Sequence, residues 1–299
     1  MDKNKIIGIS SLTSASFLWG LWGVFARLLG LGFGVFYQVF SRSLIIFLIL
    51  AIYLLVKRNW KRIDAKNYKW FLIMSLSGLA AAISFFVTAN KLTIATNLFV
   101  FYTGSVIAGY FLGSFFFKEK LNAIKIISLL TCLIGLFMIF SCFPEKKELF
   151  YLFLALASGL GSAVWNVFSK KVSTKYPLMQ VSFIDNLNFT VFSLALTIFF
   201  KDSFILPNFS LPWLNVFLFA FSTMIASLFV FNGFRYLEAQ IGSLLMLSEP
   251  VFGVLFGWLF YKEVLTIYSL VGGAMILFGA ALPNLNFKKK TQLGSTNLC

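Results

Sequence analysis

The chain has 299 residues, of which 60% are hydrophobic and only 12% are charged, and its mean hydropathy is +0.89. Soluble globular proteins contain roughly 45–50% apolar and about 25% charged residues, so this composition excludes a soluble domain and indicates a membrane protein. The formal net charge is +15, but the cations lie between apolar segments, which argues against a nucleic-acid partner.

Ten apolar segments follow one another along the chain, each long enough to cross a hydrocarbon core of roughly 30 Å as a helix. Their predicted bounds are 6–27, 34–56, 70–90, 95–117, 121–141, 149–169, 178–200, 211–233, 239–260 and 264–284. The first segment is not followed by a small-residue cleavage site and a soluble domain, which favours a retained span over a removed signal peptide. We therefore expect an all-α integral membrane protein with ten transmembrane helices.

The lysine and arginine residues predict the orientation of the spans. With a cytoplasmic N-terminus, 18 of the 25 cations fall on the cytoplasmic side, many of them within 57–69, 118–125, 170–175 and 288–290. An even number of spans returns the C-terminus to the same side. The prediction is a multi-pass protein of the plasma membrane with both termini in the cytoplasm.

Cysteine and histidine give no sign of a cofactor. Cys132, Cys142 and Cys299 show neither a disulfide framework nor metal-ligand spacing, and the chain has no histidine. Histidine is the commonest metal ligand and the usual proton shuttle near neutral pH. We expect no cofactor and no metal, and any proton coupling has to use carboxylates.

Two motifs occur twice in the chain. WGVFAR at 22–27 returns as WNVFSK 143 positions later, and GSFFFKEKL at 113–121 returns as GWLFYKEVL 144 positions later. This common offset predicts a duplication, with repeats at 1–144 and 145–299. Since each repeat has five spans, an odd number, the second enters the membrane from the opposite side, so the repeats are inverted.

Inverted repeats are typical of secondary transporters, which place the substrate near the midplane between the halves and alternate by rocking one half against the other. A duplicated bundle also suits a channel or a structural scaffold. The repeat pattern therefore favours a transporter and leaves these alternatives open.

Three segments carry a family resemblance. FLWGLWGVFARLL (17–29), SAVWNVFSKKV (162–172) and LSEPVFGVLFGWLFYKEVL (247–265) resemble the two EamA repeats of the drug/metabolite transporter superfamily. The resemblance covers all ten spans and implies cytoplasmic termini and export or import of small organic metabolites, amino acids among them. YTGSV at 102–106 departs from the family pattern, which usually has a proline there, so a helix break at Glu249-Pro250 has no proline counterpart in the first repeat.

Three charged residues are predicted near mid-depth in the bilayer, where a charge costs roughly 2.5–3.5 kcal/mol and tends to face the bundle interior. Arg42, Asp185 and Glu249 lie roughly 12–16 Å from the start of their spans at 1.5 Å per residue. The offset of 143 aligns Arg42 with Asp185. The simpler interpretation is a buried ion pair between the halves. In the alternative, Arg42 meets a substrate carboxylate while Asp185 or Glu249 receives an amine or a proton.

Glu249 also has two open interpretations. Pro250 leaves a carbonyl of the preceding turn without its donor, and membrane helices tolerate such breaks where neighbouring groups or cavity water satisfy the backbone. The carboxyl group beside the break is either a proton or amine site, or a neutral group that fixes helix packing.

Small and polar residues share one helix face in several spans, for example Ser16 and Gly20 in span one and Gly159 and Asn166 in span six. Close helix packing explains such stripes without a ligand. Aromatic residues with polar tips in mid-membrane segments, which need hydrogen-bond partners, favour a polar cavity instead. The cations and KE motifs at span ends are interpreted as snorkelling or capping groups.

The candidate substrate-binding residues are Trp22, Arg42, Tyr102, Trp165, Asn166, Asp185 and Glu249. We expect a secondary transporter that moves an amino acid or related amphiphilic compound by alternating access, with export as the favoured direction. A passive channel is the main alternative. An intramembrane enzyme is disfavoured because the membrane carboxylates are single residues on separate spans. The expected partners are a small-molecule substrate and the lipid bilayer, with no nucleic acid, and a homodimer stays open.

Overall fold

The computed structural model describes residues 3–29, 33–89, 91–92, 94–140, 149–208 and 210–285. Its described residues form twelve α-helices and a short 3-10 turn at Leu282–Asn284. The helices are α1 Lys3–Gly20, α2 Trp22–Leu29, α3 Val35–Lys57, α4 Ala65–Ala89, α5 Ile94–Phe117, α6 Ala123–Phe140, α7 Leu149–Ser173, α8 Leu178–Phe199, α9 Leu211–Tyr236, α10 Ala239–Met246, α11 Ser248–Tyr261 and α12 Ile267–Ala281. The predicted repeat boundary between 144 and 145, Cys142, Cys299 and the lysines at 288–290 lie outside the described residues.

The helices confirm the predicted all-α membrane fold. By length and composition, nine segments within the described ranges are long and apolar enough to cross a bilayer, and α10 and α11 together form one of them. The first predicted span corresponds to α1 and α2. Together these elements give the ten spans of two five-helix repeats.

The packing of the helices follows the twofold symmetry that inverted repeats require. Helix α3 packs against α8 and α6 against α12, so spans two and five each meet their own counterpart. Helices α4 and α5 both pack against α7, and the equivalent elements α9 and α11 both pack against α1. Exchanging the spans of these pairs with their counterparts reproduces the same pairs, so this part of the interface between the halves is built twice from equivalent contacts.

The backbone at four helix ends repeats with the same offset. The left-handed residues Arg58, Lys118, Lys201 and Lys262 have φ between 48° and 55°, and they follow α3, α5, α8 and α11. These helices are spans two and four of the first repeat and their counterparts in the second. A left-handed residue ends a helix by redirecting the chain, and a cation there interacts favourably with the helix dipole.

Acidic side chains cap the starts of two helices across the interface between the repeats. Two N–H groups in the first turn of α3 donate to the Asp202 carboxylate at 3.0 and 3.1 Å. The first two N–H groups of α10 donate to Glu119 at 2.7 and 3.0 Å, and the Lys170 ammonium donates to the same carboxylate at 2.9 Å. Glu119 belongs to the first KE motif, so the capping role expected for that motif is confirmed.

Spans one and nine are both interrupted, and they pack against each other. The prediction of an unbroken first span is wrong at Leu21, where α1 ends and α2 begins. Span nine divides at Leu247, just before the predicted break at Glu249-Pro250. Ideal Cβ placement at Gly20 would come within 2.7 Å of the Phe252 side chain, so glycine is what lets the two interrupted spans approach closely.

Helix α5, the counterpart of the divided span nine, is continuous. The asymmetry predicted from the missing proline at 102–106 is thus confirmed. The two repeats share a fold but differ in where each has a broken helix, because the first repeat is divided in its first span and the second in its fourth.

Helices α6 and α12, which are counterparts, approach each other closely enough for backbone contact. A Cβ added at Gly135 would lie 2.6 Å from the Gly272 carbonyl oxygen, and one added at Gly272 would lie 2.5 Å from the Gly135 carbonyl oxygen. Small residues allow such contacts between membrane helices, where van der Waals packing is a main source of association.

We expect Gly272→Ala to lower the melting temperature of the detergent-purified protein, because the new methyl group meets a backbone oxygen that cannot move freely; overpacking of this kind costs about 1–3 kcal/mol. Gly253→Ala is the matched control, since its Cβ would meet nothing closer than the Gly20 oxygen at 3.9 Å. Fluorescence-detected melting measures both. Equal melting temperatures for the two variants would show that the α6–α12 contact adjusts without loss.

Candidate functional site

A cavity of about 150 Å³ lies between the two repeats, near the middle of the helices that line it. A cavity of roughly 10–15 Å³ can hold one water molecule. The cavity between the repeats is therefore large enough for a small organic molecule or several waters. Both repeats contribute to the wall. This is the place that an inverted-repeat transporter reserves for its substrate.

All seven residues predicted as substrate-binding lie on the wall of this cavity. They are Trp22, Arg42, Tyr102, Trp165, Asn166, Asp185 and Glu249. They come from six different spans, so the tertiary fold brings together residues up to 227 positions apart in the chain. Their common location is a geometric fact, while their role in binding stays a prediction.

Asp185 is held by donors from two other helices. The Ser75 hydroxyl donates to one carboxylate oxygen at 2.7 Å, and the Trp165 indole N–H donates to the other at 3.0 Å. The Asn188 amide in turn donates to Ser75 at 3.2 Å. A carboxylate that accepts hydrogen bonds at both oxygens can stay in the protein interior without a cation beside it.

Arg42 has no such arrangement. Its side chain is 7% exposed, and its Nη1 has no hydrogen-bond partner within the described residues. The guanidinium carbon lies 4.4 Å from the centre of the Phe219 ring and 5.5 Å from the Trp22 ring. Cation–π contacts offset part of the loss of hydration, but ring faces do not accept the in-plane N–H groups of the guanidinium.

The simpler interpretation of Arg42 and Asp185, a direct ion pair, is therefore wrong for this structure. The ion pairs among the described residues include Lys125 with Glu238 and Lys170 with Glu119 but not these two. The offset aligned the two positions correctly across the repeats, because α3 packs against α8. Alignment does not bring the charged ends together, since each side chain interacts with different neighbours: rings for the cation, and hydroxyl and indole donors for the carboxylate.

Glu249 lies in the first turn of α11, directly after the break in span nine. The Tyr102 hydroxyl on α5 lies close to its carboxyl group. Helix N-termini favour negative charge because their N–H groups are unsatisfied. The break therefore places the carboxyl group at a favourable helix start on the cavity wall, next to a phenol of the other repeat.

Comparison with known proteins agrees with this architecture. The model of the EamA-like transporter family matches the chain twice, at residues 6–141 and 149–285. The chain belongs to the EamA-like transporter family. The family resemblance read from the sequence is thereby confirmed.

Relatives of this EamA-like protein are also described as transporters. The uncharacterized transporter YoaV of Bacillus subtilis (strain 168) is 25% identical over 259 residues, which cover 81% of this chain and 84% of YoaV. An uncharacterized transporter of Archaeoglobus fulgidus is 28% identical over 170 residues, covering 55% of this chain and 58% of its own length. The chain thus aligns with less than two thirds of that archaeal relative.

A solved crystal structure shares the fold of this EamA-like protein. It matches with a TM-score of 0.79 over 95% of this chain and 99% of its own, at 17% identity. The similarity shows the fold alone. The family match and the names of the relatives support a multi-pass membrane protein and indicate a transporter rather than an enzyme.

The sequence did not point to several residues that shape the site of this EamA-like protein. Phe219, one of 39 phenylalanines, packs against the guanidinium, and Ser75 supports Asp185 from behind the wall. The small and polar face of span three contributes only Ala81 to the cavity wall, out of Ser77, Ala81, Ser84 and Thr88. No signal in one sequence distinguishes these residues, because their roles depend on how α4 and α9 are rotated.

In the small-residue stripes of spans one and six, some positions serve helix packing and others line the cavity. The Ser16 hydroxyl donates to the Leu245 carbonyl at 3.4 Å, and Gly159 packs against the backbone at Phe101, so these positions serve helix packing. Asn166 lines the cavity, with an Oδ1 that has no partner in the described structure. The Arg27 side chain lies outside the described residues.

We expect that reversing both charges, with Arg42→Asp and Asp185→Arg together, will not restore the melting temperature or transport lost in either single variant. An aspartate at 42 would face the electron-rich faces of Phe219 and Trp22, and an arginine at 185 would face the Trp165 N–H donor. Melting curves and liposome transport assays of the three variants test this. Recovery in the double variant would show that the two charges act mainly on each other.

Proposed function

We propose that this protein is a secondary transporter that exports a small organic metabolite, an amino acid or related amphiphilic compound, across the plasma membrane by alternating access. The observation that carries the proposal is the mid-depth cavity between the repeats, with charges of both signs on its wall. Family membership and the names of the relatives support it.

The cavity suits a zwitterionic or amphiphilic molecule. Arg42 supplies a cation, Asp185 and Glu249 supply carboxyl groups, and Trp19, Trp22 and Phe85 supply apolar surface. A small-molecule site is expected to have a mostly apolar wall with a few polar groups that fix orientation. The substrate's ionic groups would exchange water for these side chains, which lowers the energy of crossing the bilayer centre.

Two different clusters close the ends of the bundle in this proposal. At one end an aromatic cluster of Phe33, Tyr37, Trp213 and Phe219 packs around the start of α3. At the other end a polar cluster joins Glu119, Lys125, Lys170, Glu238 and Gln240 around the start of α10. Alternating access then consists of parting one cluster while the other stays closed, as the two repeats rock about the α3–α8 and α6–α12 contacts.

Purified protein in liposomes is expected to accumulate one of a panel of radiolabelled amino acids with saturable kinetics, and unlabelled substrate inside is expected to accelerate uptake, because a carrier reorients faster when loaded. Asp185→Asn should reduce the rate at least about tenfold, since charge-assisted hydrogen bonds contribute roughly 1.5–3 kcal/mol. Phe153→Leu, at a lipid-facing position that is 70% exposed, is the matched control. Flux that never saturates would favour a channel, and turnover without translocation an enzyme.

Proton coupling is expected to depend on Glu249, since it is a carboxyl group at a helix break on the cavity wall and the chain has no histidine. Glu249→Gln should abolish the pH dependence of transport while the protein remains inserted and folded. Tyr102→Phe, which removes only the hydroxyl partner, should keep a pH dependence. Transport rates across a pH series measure both variants. Unchanged pH dependence in Glu249→Gln would assign the residue to packing.

A further inference from the structure

The cavity wall carries three charged side chains, and one of them has a buried N–H group without a partner in the described part of the chain. Asp185 accepts hydrogen bonds from Ser75 and Trp165, and Glu249 faces the Tyr102 hydroxyl. Arg42 is the remaining one and the sole cation among the described residues that line the cavity. Its Nη1 is buried without a hydrogen-bond partner in the described part of the chain.

Leaving this charge unsatisfied is unfavourable to folding. Arginine stays protonated in proteins, so Arg42 cannot relieve its burial by losing a proton. A buried charge without a partner destabilises the folded state strongly, and an apolar residue of similar volume often stabilises it. Retaining an arginine here is expected only if the unsatisfied N–H groups serve another purpose.

A second unsatisfied donor lies beside the first. The Trp22 Nε1 is buried and has no partner among the described residues, and its ring lies 5.5 Å from the Arg42 guanidinium. The Ser43 hydroxyl on the same wall already has two partners, since it donates to the Val39 carbonyl at 2.8 Å and accepts from the Thr190 hydroxyl at 3.2 Å. This part of the wall therefore carries two buried N–H donors without a partner among the described residues.

We propose that Arg42, with the Trp22 indole N–H beside it, binds the negatively charged group of the transported molecule and so selects substrates that carry one. The inference rests on the proposed function and deepens it, because it names the charge that the substrate must have and the residue that binds the charged group. The guanidinium presents paired N–H groups that match the two oxygens of a carboxylate. Phe219 and Trp22 fix its orientation by covering its faces.

The site favours a singly charged carboxylate over a doubly charged phosphate. One cation neutralises one negative charge, and Asp185 and Glu249 on the same wall would repel any excess. The aromatic residues around Arg42 also favour an apolar or aromatic body attached to the charged group, since stacked and edge contacts with rings add to apolar burial.

Three compounds of nearly the same shape test the inference by binding rather than transport. They are benzoate, benzamide and phenyl phosphate, which differ in the group that would meet Arg42. Melting temperatures of the purified protein are measured over a concentration series of each. Benzoate is expected to raise the melting temperature, and benzamide and phenyl phosphate are expected to do so only at concentrations at least about tenfold higher.

The matched variants are Arg42→Met and Lys69→Met, each of which removes one positive charge; Lys69 is exposed and lies outside the cavity wall. Arg42→Met should abolish the benzoate shift and have an unliganded melting temperature equal to or above that of the wild type, because an unsatisfied buried charge has been removed. Lys69→Met should keep the benzoate shift. A purely structural arginine would give the opposite result, a lower melting temperature in Arg42→Met.

The results that would overturn the inference are distinct from those that would overturn transport. Arg42 does not recognise the substrate's charge if benzoate raises the melting temperature equally in wild type and Arg42→Met. The same conclusion follows if benzoate and benzamide raise it equally. Preferential stabilisation by phenyl phosphate refutes the preference for a carboxylate. If benzoate binds through Arg42 but no compound is translocated, the anion site stands and the proposed function fails. Translocation that is unaffected by Arg42→Met leaves the function standing and refutes the inference.

Discussion

An ionised side chain at the centre of a bilayer has to obtain from the protein what water would otherwise supply. This constraint explains the arrangement around the cavity. The Asp185 carboxylate receives hydroxyl and N–H donors from neighbouring helices, Glu249 lies beside a tyrosine hydroxyl, and the guanidinium receives two aromatic faces. These groups come from helices of both repeats, so the contacts around each charged side chain form only where the repeats meet. Burying the charged side chains and associating the two repeats therefore depend on the same contacts.

The duplication of the sequence supplies these contacts between the repeats. Because the repeats are inverted, one set of helix contacts occurs twice, and the spans nearest the symmetry axis, α3 with α8 and α6 with α12, meet their own counterparts. Glycines at 135 and 272 bring the second pair to backbone contact. Two equivalent halves of this kind would supply the two arrangements of similar energy that the proposed alternating access needs.

The departures from symmetry are concentrated where the site lies. The first repeat has its interruption at Leu21 and the second at Leu247, and the aligned positions 42 and 185 carry opposite charges. A perfectly symmetric pair of repeats would place like groups on both sides of the cavity and could not distinguish the two ends of a molecule.

Much of the fold and the residues of the cavity wall could be predicted because they follow from one-dimensional patterns. Apolar runs of bilayer length determine the spans, the offset of 143 to 144 determines the repeats, and charges such as Arg42, Asp185 and Glu249 have to face inward at mid-depth. The side-chain partners could not be predicted, since they depend on how each helix is rotated and how closely it approaches its neighbours. Tertiary packing alone decided that Asp185 bonds with Ser75 and Trp165 rather than with Arg42, and that Phe219, unremarked among 39 phenylalanines, lies over the guanidinium. The sequence by itself determined which side chains are too polar to face lipid. Only the tertiary structure decided which of these side chains are left without a hydrogen-bond partner, because a hydrogen bond depends on a direction and a distance that a periodic pattern does not encode.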